Sequence, residues 1–374
     1  MSAIPVCAPL LAGNELAYVT EAVSTGWISS SGKYVPEFEK AFAAYCGVKH
    51  GIAVCNGTTA LHLALTALGI GPGDEVIIPD FTMAASAFAV CHTGARPVFI
   101  DAHKATWNIN AGLIEARITP RAKAIMPVHI FGNPCDMGAI SRIAAKHGLS
   151  VLEDAAEAHG AEHSGEKAGS LGNIAAFSFF ANKNITTGEG GMVVTNDDAL
   201  AEACRYYKNV CFPLDGSRTY LHGDIGFNYR MSNLHAALGL AQTEKADYYR
   251  GLRIAHGLLY RELLRRIPGV LLQKDQVGGE NVHWMNGACI QPEVYGHTRD
   301  ELVAHLAANG VETRLFFNGM HRQPALRKYG CDCSGGYPVS DFLADNGLYL
   351  PSGSGLAEKD IRMICALIRN FSLG

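Results

Sequence analysis

Val151-Leu152-Glu153-Asp154-Ala155-Ala156-Glu157 decides the fold. An apolar run ends on carboxylates and gives way to alanines. A strand of this kind delivers its last side chains to the carboxyl edge of a sheet, and in open α/β sheets ligands sit outside that edge. Asp154 can there meet a pyridinium nitrogen, a metal or a ribose hydroxyl; the plainer use of the same residue is as a helix N-cap.

Outward from this stretch the chain alternates. Strand-like runs occur at 51–55, 75–79, 97–101, 124–130, 150–153, 175–179 and 191–195. Helix-like stretches at 59–68, 84–92, 113–117 and 136–147 separate the earlier ones. Strands joined through helices need crossover connections, so the spacing predicts an α/β fold with a mostly parallel seven-stranded sheet covered on both faces. After about residue 245 the texture changes. A long helical stretch at 248–266 precedes short alternating segments at 286–290 and 311–317 and a last helix at 358–371. The division expected is a large domain over 1–245 and a smaller α+β domain over 246–374.

Composition narrows the classes. The chain has 374 residues, 48% of them hydrophobic and 18% charged, so it can bury a sizeable core as an ordinary globular protein. Its formal net charge is -4 and it has no basic block, which disfavours nucleic acid or an anionic membrane as partner. It has no run apolar enough to span a membrane and no signal-peptide pattern. The 11 cysteines are odd in number and scattered through apolar runs, as expected of a reduced, cytoplasmic chain. Cys331 and Cys333 lie close together, but with no second ligand pair nearby no metal site is expected.

Two further segments carry chemistry. Asn56-Gly57-Thr58-Thr59 follows a strand and opens a helix, whose free N–H groups and positive dipole end suit a phosphate. The same turn also serves as an ordinary N-cap. Phe177-Ser178-Phe179-Phe180-Ala181-Asn182-Lys183-Asn184 leaves an apolar strand and leads into the return Thr186-Thr187-Gly188-Glu189-Gly190-Gly191. A loop lysine is commonly solvated. This one lies between apolar strands, where a partly desolvated amine suits a Schiff base. Ser178 adds a hydroxyl. Together, a phosphate-friendly helix start, a strand-end Asp and a later Lys are the parts that pyridoxal phosphate (PLP) requires. A dinucleotide fold is the rival, yet no G-x-G-x-x-G follows the first strand, and neither G-x-x-x-x-G-K-[ST] nor G-x-S-x-G occurs.

These residues resemble the DegT-type nucleotide-sugar aminotransferases, PLP enzymes of fold type I. The likeness runs through Trp27-Ile28-Ser29-Ser30-Ser31-Gly32-Lys33-Tyr34, Asn56-Gly57-Thr58, Gly73-Asp74-Glu75-Val76-Ile77, Pro127-Val128-His129, Glu153–Gly160, the lysine segment and Gly226-Phe227-Asn228-Tyr229-Arg230-Met231. It implies that Lys183 holds the cofactor and carries the proton, and that Asp154 pairs with the pyridinium nitrogen. By the same likeness Glu157 lies near the phenolic oxygen, and Gly57, Thr58 and Ser178 hold the phosphate. Asn228 is implied to reach the phosphate in the neighbouring subunit, which makes a homodimer with its sites at the interface. Ser30, Arg314 and His321 fall where the family places substrate-facing loops.

Met83 stands where many relatives carry an aromatic residue that stacks on the ring, and its sulfur can pack on a π-face instead. Residues 316–321 also depart from the family's pattern. Related dehydratases have His at the lysine position, so Lys183 implies a transaminase. The implied reaction moves an amino group from L-glutamate, leaving 2-oxoglutarate, to a nucleotide-linked 4-keto-6-deoxy sugar, GDP-4-keto-6-deoxy-D-mannose first among them. A UDP or dTDP keto sugar, aminated at C4 or C3, is the alternative within the family. A non-catalytic PLP-binding regulator or scaffold is the alternative of another class, and intact Lys183 and Asp154 argue against it.

Overall fold

The computed structural model describes residues 3–217 and 220–372. Its central sheet has seven strands: β1 (His50–Val54), β2 (Glu75–Pro79), β3 (Arg96–Ile100), β4 (Ala122–Ile125), β5 (Ser150–Asp154), β6 (Ile174–Ser178) and β7 (Gly191–Thr195). Their spatial order is β1-β7-β6-β5-β4-β2-β3. From β6 to β3 every pairing is parallel, while β7 lies antiparallel to both β1 and β6. The reversal has a local cause. Between Ser178 and Gly191 there is no helix to carry the chain back across the sheet, so it returns in the opposite direction.

Both faces are buried, and alternation along the strands sorts the side chains. Ile52 and Val54 of β1 join one apolar cluster with Leu61, Leu65 and Val90, whereas Ala53 joins Phe38, Phe42 and Val194 on the other face. On β6, Ala176 faces the first cluster and Ala175 and Phe177 the second. Each large apolar side chain removed from water in this way contributes about 1.5–3 kcal/mol before the entropic cost of ordering it.

The expected runs match to within a residue or two at β1, β2, β3, β5, β6 and β7. The 124–130 run differs. Its strand starts earlier, at Ala122, and stops at Ile125, because Pro127 has no N–H for a ladder and the chain then bends through Phe131 at φ 60°. The helix expected at 113–117 is two 3₁₀ turns, Ala111–Leu113 and Glu115–Arg117, a stretch too short to sustain an α-helix and followed closely by Pro120.

The C-terminal part builds a four-stranded antiparallel sheet from Val270–Leu272, Asn286–Ile290, Gly347–Leu350 and Arg314–Leu315. Its core gathers Tyr260, Leu264, Ile290, Leu302, Leu348, Ile361 and Ile364. The strand expected over 311–317 contracts to two residues because its start pairs elsewhere: the Ile4 N–H donates to the Gly310 carbonyl (2.8 Å), and the Glu312 N–H donates to the Ile4 carbonyl (2.9 Å). The N-terminal arm therefore packs on the C-terminal sheet. Among the described residues no helix is long and apolar enough to cross a membrane.

Candidate active site

The carboxyl ends of β5 and β6 and the start of the helix after β1 converge. Alternation along β5 gives its two acidic residues opposite tasks. Glu153 is fully buried and spent on structure: its oxygens accept the N–H groups of Gly169 (3.0 Å), Leu171 (2.8 Å) and Gly172 (2.8 Å) and bond His129 Nε2 (3.0 Å). His129 Nδ1 accepts the Cys135 N–H (3.1 Å), so Nε2 is the protonated nitrogen and donates to Glu153. Asp154 points the other way. Its Oδ2 accepts the Ser86 hydroxyl (2.7 Å) and its Oδ1 the Ala156 N–H (3.2 Å). Burial raises its pKa, and Ser86, the Ala156 N–H and the Lys183 charge pull it back down.

Glu157 follows where the strand has ended. The Phe131 N–H donates to its Oε2 (2.7 Å), and its Oε1 lies 3.9 Å from Lys183 Nζ. Burial raises Glu157 to about 7 against the opposing charge of Lys183. The lysine is squeezed in the opposite direction: burial lowers its pKa, and Glu157 and Asp154 resist. The amine also sits 3.6 Å from the centre of the Trp284 ring. Trp284 Nε1 donates to the Asn182 carbonyl (2.9 Å), so the ring and the lysine loop are fixed to each other.

The helix Gly57–Ala67 opens beside β6. Asn56 caps it: its Oδ1 accepts the Thr59 N–H (2.9 Å), and Thr59 Oγ1 reciprocates with the Asn56 N–H (3.2 Å). This commits Thr59 to the cap and leaves Thr58 as the hydroxyl beside Gly57. A Cβ at Gly57 would lie 2.6 Å from the Cβ of Ser178, so only glycine lets the two segments approach. These residues fit pyridoxal phosphate: a desolvated amine, a buried carboxylate facing it, and a capped helix start against a serine hydroxyl.

Other expected residues have their hydrogen bonds and ion pairs with residues outside this group. Met83 is half exposed, with its sulfur accepting the Ala85 N–H (3.0 Å). Asn228 is exposed and accepts from Arg230 Nε (2.9 Å), next to Tyr229, whose carbonyl takes the Cys55 N–H at the end of β1. Ser30 lies in a loop pinned by Asn233, which donates to the carbonyls of Ser29 (2.5 Å) and Trp27 (2.6 Å). Arg314 is exposed and paired with Glu312 (2.6 Å). His321 has both ring nitrogens engaged, Nδ1 with Asp80 (2.8 Å) and Nε2 with Asp341 (3.1 Å), and its ring stacks on Tyr337. Among the described residues, none of Ser30, Asn228, Arg314 and His321 forms a hydrogen bond or ion pair with Lys183.

Sequence reasoning missed Trp284 and Ser86. Nothing local marks a tryptophan about a hundred residues downstream as the cover of an amine. Ser86 is legible only once the helix Ala85–His92 is seen to start under Asp154.

The model of the DegT/DnrJ/EryC1/StrS aminotransferase family matches residues 9–369. The chain is 49% identical to GDP-perosamine synthase from Caulobacter vibrioides, over 97% of each chain. It is 41% identical to GDP-perosamine synthase from Escherichia coli O157:H7, over 99% of each. The solved structure of DesI in the presence of its TDP-sugar product superposes with a TM-score of 0.89 at 33% identity, covering 99% of this chain and 93% of that one. This chain belongs to the DegT/DnrJ/EryC1/StrS aminotransferase family.

Proposed function

We propose that the chain transfers the amino group of L-glutamate to C4 of a GDP-linked 4-keto-6-deoxy sugar, GDP-4-keto-6-deoxy-D-mannose, releasing 2-oxoglutarate and a 4-amino sugar. The carrying observation for the chemistry is the buried Lys183 amine facing Glu157 and lying within the field of Asp154. For the sugar it is the full-length likeness to two GDP-perosamine synthases. A second reading, a dTDP sugar, is favoured by the likeness to DesI and its TDP-sugar product.

Pyridoxal phosphate bound here supplies an electron-poor ring that accepts the electron pair of a cleaved C–H bond. The protein does the rest. Lys183 Nζ is the group that takes and returns the proton, and burial lowers its pKa, which favours the neutral amine that acts as a base. Asp154 would hold a positive ring nitrogen, and Gly57, Thr58 and Ser178 would hold the phosphate. Glu157 lies beside the amine and would meet the phenolic oxygen. Trp284 keeps water from one side of Lys183. In this reading Met83 packs on the ring, Ser30, Arg314 and His321 belong to the loops around the sugar, and residues 1–245 and 246–374 are the two domains of one cytoplasmic enzyme.

The working unit in this reading is a homodimer in which Asn228 serves the partner's site. Half-exposed Met83 and Phe180, together with exposed Trp27 and Ile28, are the apolar surfaces that such a partner would cover.

The test is spectroscopic. The visible band of the lysine-linked cofactor should fall on addition of L-glutamate and return on addition of GDP-4-keto-6-deoxy-D-mannose. A return only with a dTDP or UDP keto sugar would assign the substrate to the second reading. No band at all would remove the role of Lys183.

A further inference from the structure

The buried groups around Asp154 include two hydroxyls that the chemistry above does not use. Thr82 and Ser86 are each 1% exposed. The Ser86 hydroxyl lies 2.7 Å from Asp154 Oδ2 and 3.0 Å from Thr82 Oγ1. An ionised carboxylate only accepts, so Ser86 donates to Asp154. Its single proton is then committed, and Thr82 must be the donor in the second bond. The direction of the chain is fixed: Thr82 to Ser86 to Asp154.

The two hydroxyls come from one short segment with its own reason to be rigid. Ser86 lies in the first turn of the helix Ala85–His92, and its N–H donates to the Met83 carbonyl (3.2 Å). The segment is anchored at its other end by Asp80, fully buried at the tip of β2, which accepts the His321 N–H and bonds His321 Nδ1 (both 2.8 Å).

We infer that Ser86, backed by Thr82, is a positioning residue that holds the Asp154 carboxylate ionised and aimed before any ligand arrives. The inference rests on the reading that Asp154 binds a protonated ring nitrogen. A buried carboxylate without donors would take up a proton or rotate, and either change removes its preference for a cationic partner. With Oδ2 held by Ser86 and Oδ1 by the Ala156 N–H, both oxygens are fixed within the site. The field is built in advance rather than by reorganisation during turnover. Lys183 adds a favourable charge, but its own protonation changes during the reaction. The hydroxyl pair is the constant part.

The experiment compares two ligands on the cofactor-free protein: pyridoxal phosphate, and its analogue in which the ring nitrogen is replaced by C–H. Dissociation constants are measured by absorbance for the wild type and for Ser86→Ala, Ser86→Thr, Thr82→Val and Asp154→Ala. The wild type should prefer the nitrogen-containing ligand. Ser86→Ala should lose roughly tenfold or more of that preference, the size expected for one hydrogen bond to a charged group. Its affinity for the carbon analogue should stay within about twofold of wild type, which a collapsed or misfolded site would not allow. Thr82→Val should lose less, and Ser86→Thr should restore the preference. Preference lost in Asp154→Ala but kept in Ser86→Ala would overturn the inference and leave the role of Asp154 standing. Preference unchanged even in Asp154→Ala would overturn both.

Discussion

At the scale of single residues, the site is a set of charges held where burial disfavours them. Lys183 and Glu157 lie 3.9 Å apart and are both buried, so each makes the other's charge tolerable. Lys183→Ala should abolish turnover and the visible cofactor band while circular dichroism shows the fold intact. Near-normal turnover would end the assignment. Glu157 gives a pH signature. Burial raises it to about 7, whereas its ordinary value is 4.5, so between those limits the folded protein binds more protons than the unfolded chain. Stability from this group is present at low pH and is lost as pH rises through about 7. Glu157→Gln stays neutral throughout. In the cofactor-free protein its melting temperature relative to wild type should therefore climb from about pH 4.5 to 7 and level off above. A flat or falling difference would show that Glu157 is already ionised at low pH.

At the scale of elements, the phosphate-friendly turn depends on a strand far from it in sequence. Gly191 opens β7 directly against the Asn56–Gly57 turn. A Cβ there would lie 2.3 Å from the Asn56 carbonyl oxygen and 3.0 Å from the Gly57 nitrogen, both backbone atoms that cannot swing aside. Gly191→Ala should cost about 1–3 kcal/mol in a urea titration, as overpacking of a tight core does, and should weaken PLP binding because the turn moves with it. Loss of stability with unchanged cofactor affinity would mean that the turn holds its shape independently of β7. The same scale explains the two acidic residues of β5. Neighbours on a strand face opposite ways, so Glu153 closes three backbone N–H groups on one side while Asp154 serves the site on the other.

At the scale of the whole molecule, one buried cation ties the parts together. Arg253, on the helix Ala246–Leu264, is 2% exposed and forms no salt bridge among the described residues. It donates instead to the carbonyls of Trp284 (2.9 Å) and Ser352, to Ser354 Oγ (2.9 Å) and to Cys7 Sγ (3.4 Å). Cys7 in turn reaches the Asn182 carbonyl (3.4 Å), which Trp284 Nε1 also bonds. One guanidinium thus links the N-terminal arm, the C-terminal sheet and the lysine loop. Arg253→Met keeps the bulk but strands these acceptors, at about 1–3 kcal/mol for each buried group left unpaired. It should lower the melting temperature and also slow turnover, because Trp284 loses its anchor. A variant that melts early yet turns over normally would limit Arg253 to a structural role.

Much of this protein is determined by short-range sequence. Strand and helix periods gave six of the seven strands to within a residue or two, since apolar alternation and turn residues act locally. The Asn56 cap, the carboxylates ending β5 and the lysine after β6 were legible because each stands at the end of a strand, where chemistry collects in this architecture. Tertiary structure alone decided which of them meet. Trp284 and Ser86 reach the site from elements distant in sequence, and no local pattern announces such contacts. His321 could be placed near a loop by likeness, but only packing shows its ring held between Asp80 and Asp341. The physical reason is the same in each case: periodicity reports which way a side chain points from its own element, while the partner it finds depends on how distant elements pack.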